Sequence, residues 1–365
     1  MPLKVTKIEP LVVRVPLLKP AAIANRRFTE REYTIVRMVT AEGVEGNSIC
    51  IGAGTVPAHV NEFAPLIIGR DPEEAPRIWN DLVFATRHGR RGAPMFALSL
   101  LDNALWDLRA KVAGLPLYRL LGVARTEVHA YASGGVYVDG EGVTELAREY
   151  EQYAEAGFQA AKVRIGGLAF AEDVERVRVV RQALGPRVRL GIDANATLQA
   201  WDDAKRFLDA VEDCDIAWFE DPFHAEAFEN FRKLSTISSV PISTGESESF
   251  GYAFAQWAAT GIVDILQPDV TVVGGITEWL RVAGLAACFG KTVFPHWFPF
   301  VHIHLSCSYA GQAVRWVEYV PNHKIVNIDE LFDEPYVPRR GVFRPSEKPG
   351  IGLSFDWDRV ARYQV

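Results

Sequence analysis

Three apolar runs, each ending in a carboxylate, constrain this chain more than any other feature. They are Val188-Arg189-Leu190-Gly191-Ile192-Asp193, Ile216-Ala217-Trp218-Phe219-Glu220 and Val240-Pro241-Ile242-Ser243-Thr244-Gly245-Glu246. Each reads as a short buried strand that turns acidic at its C-terminal end, and helical patterns such as residues 201–208 lie between them. In a parallel barrel, consecutive strands end at one face, which is where the active site of that architecture sits. Three acids gathered there repel one another unless a cation neutralises them, and hard oxygen ligands suit Mg²⁺. One such acid alone reads as a helix N-cap. Three on consecutive units favour a shared site.

The rest of the chain supplies the units such a barrel needs. Val128-His129-Ala130-Tyr131-Ala132 reads as its first strand and Ala160-Ala161-Lys162-Val163-Arg164-Ile165 as its second. After the acid-tipped strands come Val263-Asp264-Ile265-Leu266-Gln267-Pro268-Asp269, Thr292-Val293-Phe294-Pro295-His296 and Ala313-Val314-Arg315-Trp316-Val317-Glu318. Eight strands alternating with helices predict an α/β fold, a (β/α)8 barrel of the TIM type, over residues 126–335. Residues 1–125 read as an α+β capping domain. Tyr33-Thr34-Ile35-Val36-Arg37-Met38-Val39-Thr40 alternates with period two, and the turn at 41–46 follows it as in a hairpin. The helical pattern that comes next is clearest over 96–112, with Leu98, Leu101, Leu105, Leu108 and Val112 on one stripe. Two stretches, 20–27 and 50–56, show neither period, and the first is expected to be a mobile loop. Residues 336–365, Pro/Gly-rich around Lys348-Pro349-Gly350, read as a tail returning to the capping domain.

Composition excludes several classes of function. With 48% hydrophobic and 23% charged residues the chain is globular, and a net charge of −7 gives no electrostatic attraction to nucleic acid or an anionic membrane. No apolar run is long enough to span a bilayer, and the N-terminus lacks a signal peptide's apolar core. Cys50, Cys214, Cys288 and Cys307 are scattered and read as thiols of a reducing compartment. A cytoplasmic enzyme is expected, with a small-molecule carboxylate and further copies of the same chain as partners.

Further residues carry chemistry. Lys162 and Arg164 stand two apart on one strand, so both side chains point into the barrel and toward its mouth. Two buried cations need an anion beside them. Asp269 and His296 end adjacent strands, where a carboxylate on one imidazole nitrogen fixes the tautomer and raises the basicity of the other. Trp297, Phe298 and Phe300 either exclude water from the site or, as aromatic clusters more often do, simply form core. His302 and His304 read as packing or as supports behind the site. Glu318 either touches substrate or caps a helix.

These motifs resemble those of the enolase superfamily, in its mandelate racemase-like branch. The resemblance covers nearly the whole chain. It rests on Lys162-Val163-Arg164, Asp193-Ala194-Asn195, Glu220-Asp221-Pro222, Gly245-Glu246, Gln267-Pro268-Asp269, Val273-Gly274-Gly275 and Phe294-Pro295-His296, with Ala104-Leu105-Trp106-Asp107 in the capping part. It implies that Asp193, Glu220 and Glu246 bind Mg²⁺, that Asp269 and His296 form the base dyad, and that Glu318 bonds the substrate carboxylate. Asn195, His224, Arg26 and Trp297 are candidate substrate contacts, and the stretches near 20–27 and 50–56 would be specificity-setting lids.

One position departs from the related racemases, which have a second Lys where this chain has Arg164. A guanidinium stays protonated at ordinary pH and is a poor proton acceptor. One-base chemistry therefore fits better than racemisation. The expected reaction is dehydration of a hydroxy acid, a sugar acid, to a 2-keto-3-deoxy acid. An epimerase, racemase or cycloisomerase shares the first step, and a non-catalytic binding barrel is the reading from another class.

Overall fold

The period-two alternation at the N-terminus becomes a long antiparallel hairpin. In this computed structural model, which describes residues 3–24, 26–311, 313–321 and 327–365, β1 (Val5–Ile23) pairs with β2 (Arg26–Thr40). β3 (Glu45–Ile51) pairs with β2 on its other edge. The turn between β2 and β3 needs Gly43, whose φ is +79°. The loop expected over 20–27 is instead the tip of the hairpin: Ala21 faces Phe28, Ala22 faces Arg27 and Ile23 faces Arg26. Pro16 precedes a register shift that ends at Ala21, so the alternation slips there and the period disappears from the sequence. Asn25 lies outside the described residues. Of the second irregular stretch, Cys50 and Ile51 finish β3, and a helix begins at Val56.

The long helix of this part, Ala93–Val112, buries Leu98, Leu101, Leu105 and Leu108 against the hairpin, whereas Val112 at its end is exposed. Its opposite face is polar and points at the barrel. Ser99 Oγ accepts from Gly274 N at 3.0 Å, Asn103 Oδ1 from Ile276 N at 3.0 Å, and Asp102 Oδ2 from Thr277 N at 2.8 Å. These are N–H groups at the start of the Gly275–Cys288 helix, which would otherwise lack partners. Gly275 is required here, since a Cβ would stand 2.4 Å from Asp102 Oδ2.

The barrel strands follow. They are β4 (Val128–Gly134), β6 (Ala160–Arg164), β7 (Arg189–Asp193), β8 (Ile216–Glu220), β9 (Ile242–Thr244), β10 (Ile265–Leu266), β11 (Thr292–Val293) and β12 (Trp316–Tyr319). Their order is β11-β10-β9-β8-β7-β6-β4-β12, all parallel, and a bridge from Val293 to Val314 brings the ends together. Eight strands stand where eight were expected. Two further short strands sit outside the barrel order. β5 (Tyr137–Val138) leaves the mouth and adds to the hairpin sheet beside Ala21 and Ala22, and β13 (Val342–Phe343) pairs with β4. In the tail, Gly350 exchanges hydrogen bonds with Leu115 and Leu117, and Val365 N reaches Val12 O at 3.0 Å.

Inside the barrel the side chains form layers. Tyr131, Trp218, Phe294 and Trp316 pack edge to face or tilted with centroids 5.3–6.4 Å apart, and they fill the lower interior. Two residues further along three of these segments come Glu220, His296 and Glu318. The aromatic floor thus supports an ionic ceiling.

Candidate active site

The ceiling begins with one strand register. Arg164 lies beside Asp193, Asp193 beside Glu220, and Glu220 beside Ser243. Lys162, one pleat lower, is fully buried and reaches up into the acids. Its Nζ is 3.1 Å from Asp193 Oδ2, 2.9 Å from Glu318 Oε1, and in direct contact with Glu220 Oε1. Burial opposes its charge, but Asp193, Glu220 and Glu318 outweigh burial and hold the ammonium well above its ordinary pKa. Arg164 is also buried, donates Nη1 to Gly134 O at 3.0 Å, and is raised by the same acids against burial. Both cations remain protonated at neutral pH.

The acids respond in opposite directions. Burial pushes Glu220 up to about 7, opposed by Lys162 and reinforced by Asp193 and Glu318. Burial raises Glu246 as well. Glu318 is pulled well below the carboxylate range: burial is overcome by Lys162, His296 and Arg164. Five carboxylates (Asp193, Glu220, Glu246, Asp269 and Glu318) share this space with two permanent cations.

His296 closes the arrangement. Its Nδ1 is 2.8 Å from Asp269 Oδ2, and its Nε2 is 3.3 Å from Glu246 Oε2. Burial disfavours its charge, yet Glu246, Asp269 and Glu318 together raise it to about 10. Asp269 is itself oriented, because its Oδ1 accepts from Thr271 N at 2.7 Å and Thr271 Oγ1 at 2.8 Å. The expected His–Asp contact across adjacent strand ends is present.

Above the ionic layer opens a cavity of about 550 Å³ between the hairpin and the barrel. Of the residues singled out by sequence, Arg26, Arg164, Asn195, Glu246, Asp269, His296, Trp297 and Glu318 line it. Lys162, Asp193 and Glu220 lie beneath its floor. His224 is not among the lining residues: it is exposed, on the loop after β8. Asn195 holds Asp193 through its N–H at 2.8 Å and its amide at 3.2 Å, leaving Oδ1 buried and without a hydrogen-bond partner among the described residues. The stretch after β3 contributes Ile51 to the wall.

Sequence reasoning missed Arg31, which lines the same cavity from β2 with its guanidinium 3.8 Å from the Phe28 ring centre and 5.9 Å from that of Trp297. Its surroundings, Thr-Glu-Arg-Glu, look like a solvated strand face, and nothing local distinguishes the inward arginine. Thr271, two residues after Asp269, was also missed, although Asp-x-Thr is a recognisable local capping pattern.

The three candidate metal ligands are not gathered on one point. Two pair with Lys162 and one with His296, and no group of three acidic, His or Cys side chains among the described residues is close enough to hold an ion as it stands. Backbone strain does concentrate at this face. Asn195, Ala196, Asp221, Trp297 and Phe298 follow β7, β8 and β11 with φ of 43, 60, 37, 47 and 40°. Such conformations cost about 1–3 kcal/mol each and persist where surrounding bonds impose them, commonly at functional sites.

Comparison with known proteins agrees with this geometry. Residues 7–122 match the mandelate racemase/muconate lactonizing enzyme N-terminal domain, and residues 145–359 match the enolase C-terminal domain-like family. The L-talarate/galactarate dehydratase of Salmonella typhimurium is 32% identical over 352 residues, covering 94% of this chain and 86% of that one. The D-galactarolactone cycloisomerase of Agrobacterium fabrum is 31% identical over 377 residues, covering 100% and 99%. A crystal structure of a mutant L-talarate/galactarate dehydratase, liganded with Mg and L-glucarate, superposes with a TM-score of 0.90 at 29% identity, covering 100% of this chain and 93% of that one. The chain belongs to the mandelate racemase/muconate lactonizing enzyme family of the enolase superfamily.

Proposed function

We propose that this protein is a Mg²⁺-dependent hydro-lyase acting on a sugar acid. It removes the proton α to the carboxylate, expels the β-hydroxyl as water, and releases an enol that ketonises to a 2-keto-3-deoxy acid. The observation that carries this reading is His296, oriented through Nδ1 by Asp269, with Nε2 turned toward the acids at the cavity wall.

Asp193, Glu220 and Glu246 would hold the ion. The donor set fits: all three are carboxylates, two adjoin in register, and the site carries more negative charge than Lys162 and Arg164 neutralise. When bound, Mg²⁺ opposes the charge that develops on the substrate carboxylate as the α-proton leaves. Asn195 Oδ1, buried and unpartnered among the described residues, is available to a donor in the same place.

The protein supplies the rest. With Glu246 holding a cation, much of the carboxylate charge that keeps His296 protonated is offset, leaving Nε2 free to accept the α-proton, and Asp269 stabilises the imidazolium without taking the proton itself. His296 then returns that proton to the departing β-hydroxyl, so one residue serves both halves. Lys162 and Arg164 stay charged and add positive potential beneath the substrate. Glu318 was expected to bond the substrate carboxylate, but an ionised Glu318 repels one; the placement that fits is holding Lys162 and the Trp297 peptide in position. Arg26 and Arg31, from the hairpin, place two more cations over the cavity, which suits a polyhydroxy anion. A cytoplasmic setting accords with four free cysteines, three of them buried.

Cycloisomerisation is the second reading, favoured by the similarity to D-galactarolactone cycloisomerase over the whole chain. A panel of sugar acids and their lactones, incubated with Mg²⁺ and followed by NMR in D₂O, separates the two. Keto-acid formation from a free acid supports dehydration. Conversion of a lactone without keto acid supports the cycloisomerase, and no turnover across the panel defeats both.

A further inference from the structure

His302 is fully buried in the Pro299–Ser308 helix, and backbone groups engage both of its ring nitrogens. Nδ1 is 2.6 Å from Trp297 O, a group that only accepts, so Nδ1 carries the proton. Nε2 is 3.2 Å from Val270 N, a group that only donates, so Nε2 is bare. The two partners thus select one neutral tautomer. Both belong to the loops that carry the dyad: Val270 follows Asp269, and Trp297 follows His296.

Each of these peptide segments is gripped a second time. Val270 O accepts from Asn103 Nδ2 at 3.2 Å, and Trp297 N donates to Glu318 Oε2 at 2.9 Å. Trp297 and Phe298 have φ of +47 and +40°, a region that side chains disfavour, so bonds of this kind are needed to keep the loop in shape. Asn103 lies on the capping helix, whose polar face grips the following Gly274–Thr277 segment.

We infer that His302 is a positioning residue: it fixes the separation of Asp269 and His296 by tying together the backbone beside each, and Asn103 extends that tie to the capping helix. The inference rests on the reading of Asp269 and His296 as the base dyad. It assigns a purpose to a buried histidine that touches neither substrate nor the proposed metal ligands.

His304, two residues on, is an internal control. Its Nδ1 is 3.3 Å from Tyr118 N and must accept, which demands the opposite tautomer with the proton on Nε2. In ¹⁵N-histidine-labelled protein, NMR should show two neutral imidazoles that do not titrate between pH 5 and 8. One carries its proton on Nδ1 and vanishes in His302→Gln; the other carries it on Nε2 and persists. An Nε2-protonated or titrating His302 overturns the inference without reference to catalysis.

Kinetics on the sugar acid found by the panel provide the second arm. His302→Leu should lower kcat by about 10²-fold, the scale of a 1 Å misplacement, with KM and Mg²⁺ affinity changed less than about threefold. His302→Gln, whose amide can both donate and accept, should recover at least about tenfold of that loss. Equal kcat in the two variants would make the residue mere packing. If His302→Leu does not fold, Asn103→Ala, which removes the bond to Val270 O together with that from Ile276 N, should still lower kcat at constant KM, and an unchanged kcat there refutes the link to the cap. Absence of turnover by the wild type sinks the proposed function and leaves the tautomer result to stand or fall alone.

Discussion

The floor and the ceiling of the barrel interior are built in part by the same chain segments, two residues apart, and have opposite chemistry. Trp218 precedes Glu220, Phe294 precedes His296, and Trp316 precedes Glu318. Below, four aromatic rings fill space chiefly against one another. Above, Lys162, Arg164, Asp193, Glu220 and Glu318 are buried and His296 is partly so, yet each is tolerable only through its neighbours' charge. Burial of apolar rings contributes stability directly. Burial of ions contributes little or costs stability, because desolvation offsets their attraction. The difference teaches that the floor carries the fold and the ceiling carries the reaction. Substitutions above should therefore cost activity, and those below should cost stability.

The largest expected effect is on activity alone. Glu220→Gln removes one proposed ligand charge while Asp193 and Glu318 still neutralise Lys162. Turnover should fall to background, and the thermal midpoint should move by no more than about 4 °C, on the order of 1 kcal/mol for a large domain. Calorimetry giving wild-type Mg²⁺ affinity in this variant would remove Glu220 from the ligand set. Next comes His296→Asn, which should lose both α-proton exchange and dehydration by about 10²–10⁴-fold, the usual worth of a positioned base. Exchange that survives while dehydration is lost would leave His296 only as the acid, and the base would have to be sought elsewhere.

The ceiling was largely legible in the sequence because its signal is local. An apolar run that ends in an acid announces both strand and tip, as at Asp193 and Glu220, and Lys162-Val163-Arg164 announces two cations on one face. What stayed hidden depends on distant pairing. The 20–27 stretch looked like a loop because Pro16 and Pro20 interrupt the alternation, while the partner strand supplies the register. Arg31 could not be told from its neighbours, and His224, a candidate substrate contact, is exposed and does not line the cavity. Nor does a sequence reveal that Lys162 would sit among the very acids expected to gather on a metal. That follows from charge balance in three dimensions.

Acid should break the fold through histidines rather than through the ionic layer's aromatic support. Burial pushes His302 and His304 down to about 4, below the ordinary value near 6.5. In this range the unfolded chain binds protons that the native state refuses, so their contribution to stability falls as pH drops from about 6.5 to 4 and levels off below. Each histidine accounts for up to about 3 kcal/mol of that loss. Glu220 and Asp102, both raised to about 7, have the opposite linkage in this window, so the test is a difference: urea midpoints should fall more, or rise less, with acid in the wild type than in His302→Gln, and equal slopes would mean that this ring gains its proton in the native state.

The smallest effect tests whether floor and ceiling are mechanically joined. Gly191 lies beside Trp218 in the register of β7 and β8, and a Cβ there would stand 2.1 Å from the indole Cε2. Two terms compete in Gly191→Ala. Replacing a strand glycine gains roughly 0.5–1 kcal/mol of backbone entropy, whereas forcing a methyl into a packed interior costs about 1–3 kcal/mol. Trp218 is fenced by Tyr131, Phe294 and Trp316 and has no free direction in which to yield, so the crowding term should win. The indole also donates Nε1 to Glu220 Oε2 at 3.3 Å, a direct hydrogen bond from floor to ceiling. A tilted ring should weaken it, and Mg²⁺ affinity should then drop by a few-fold alongside the loss of stability. Adding Trp218→Phe should restore part of the stability, since the smaller ring leaves room for the methyl, but not the Mg²⁺ affinity, since phenylalanine has no N–H to offer. Restoration of both by Trp218→Phe would show that the indole only fills space and that the two layers act independently.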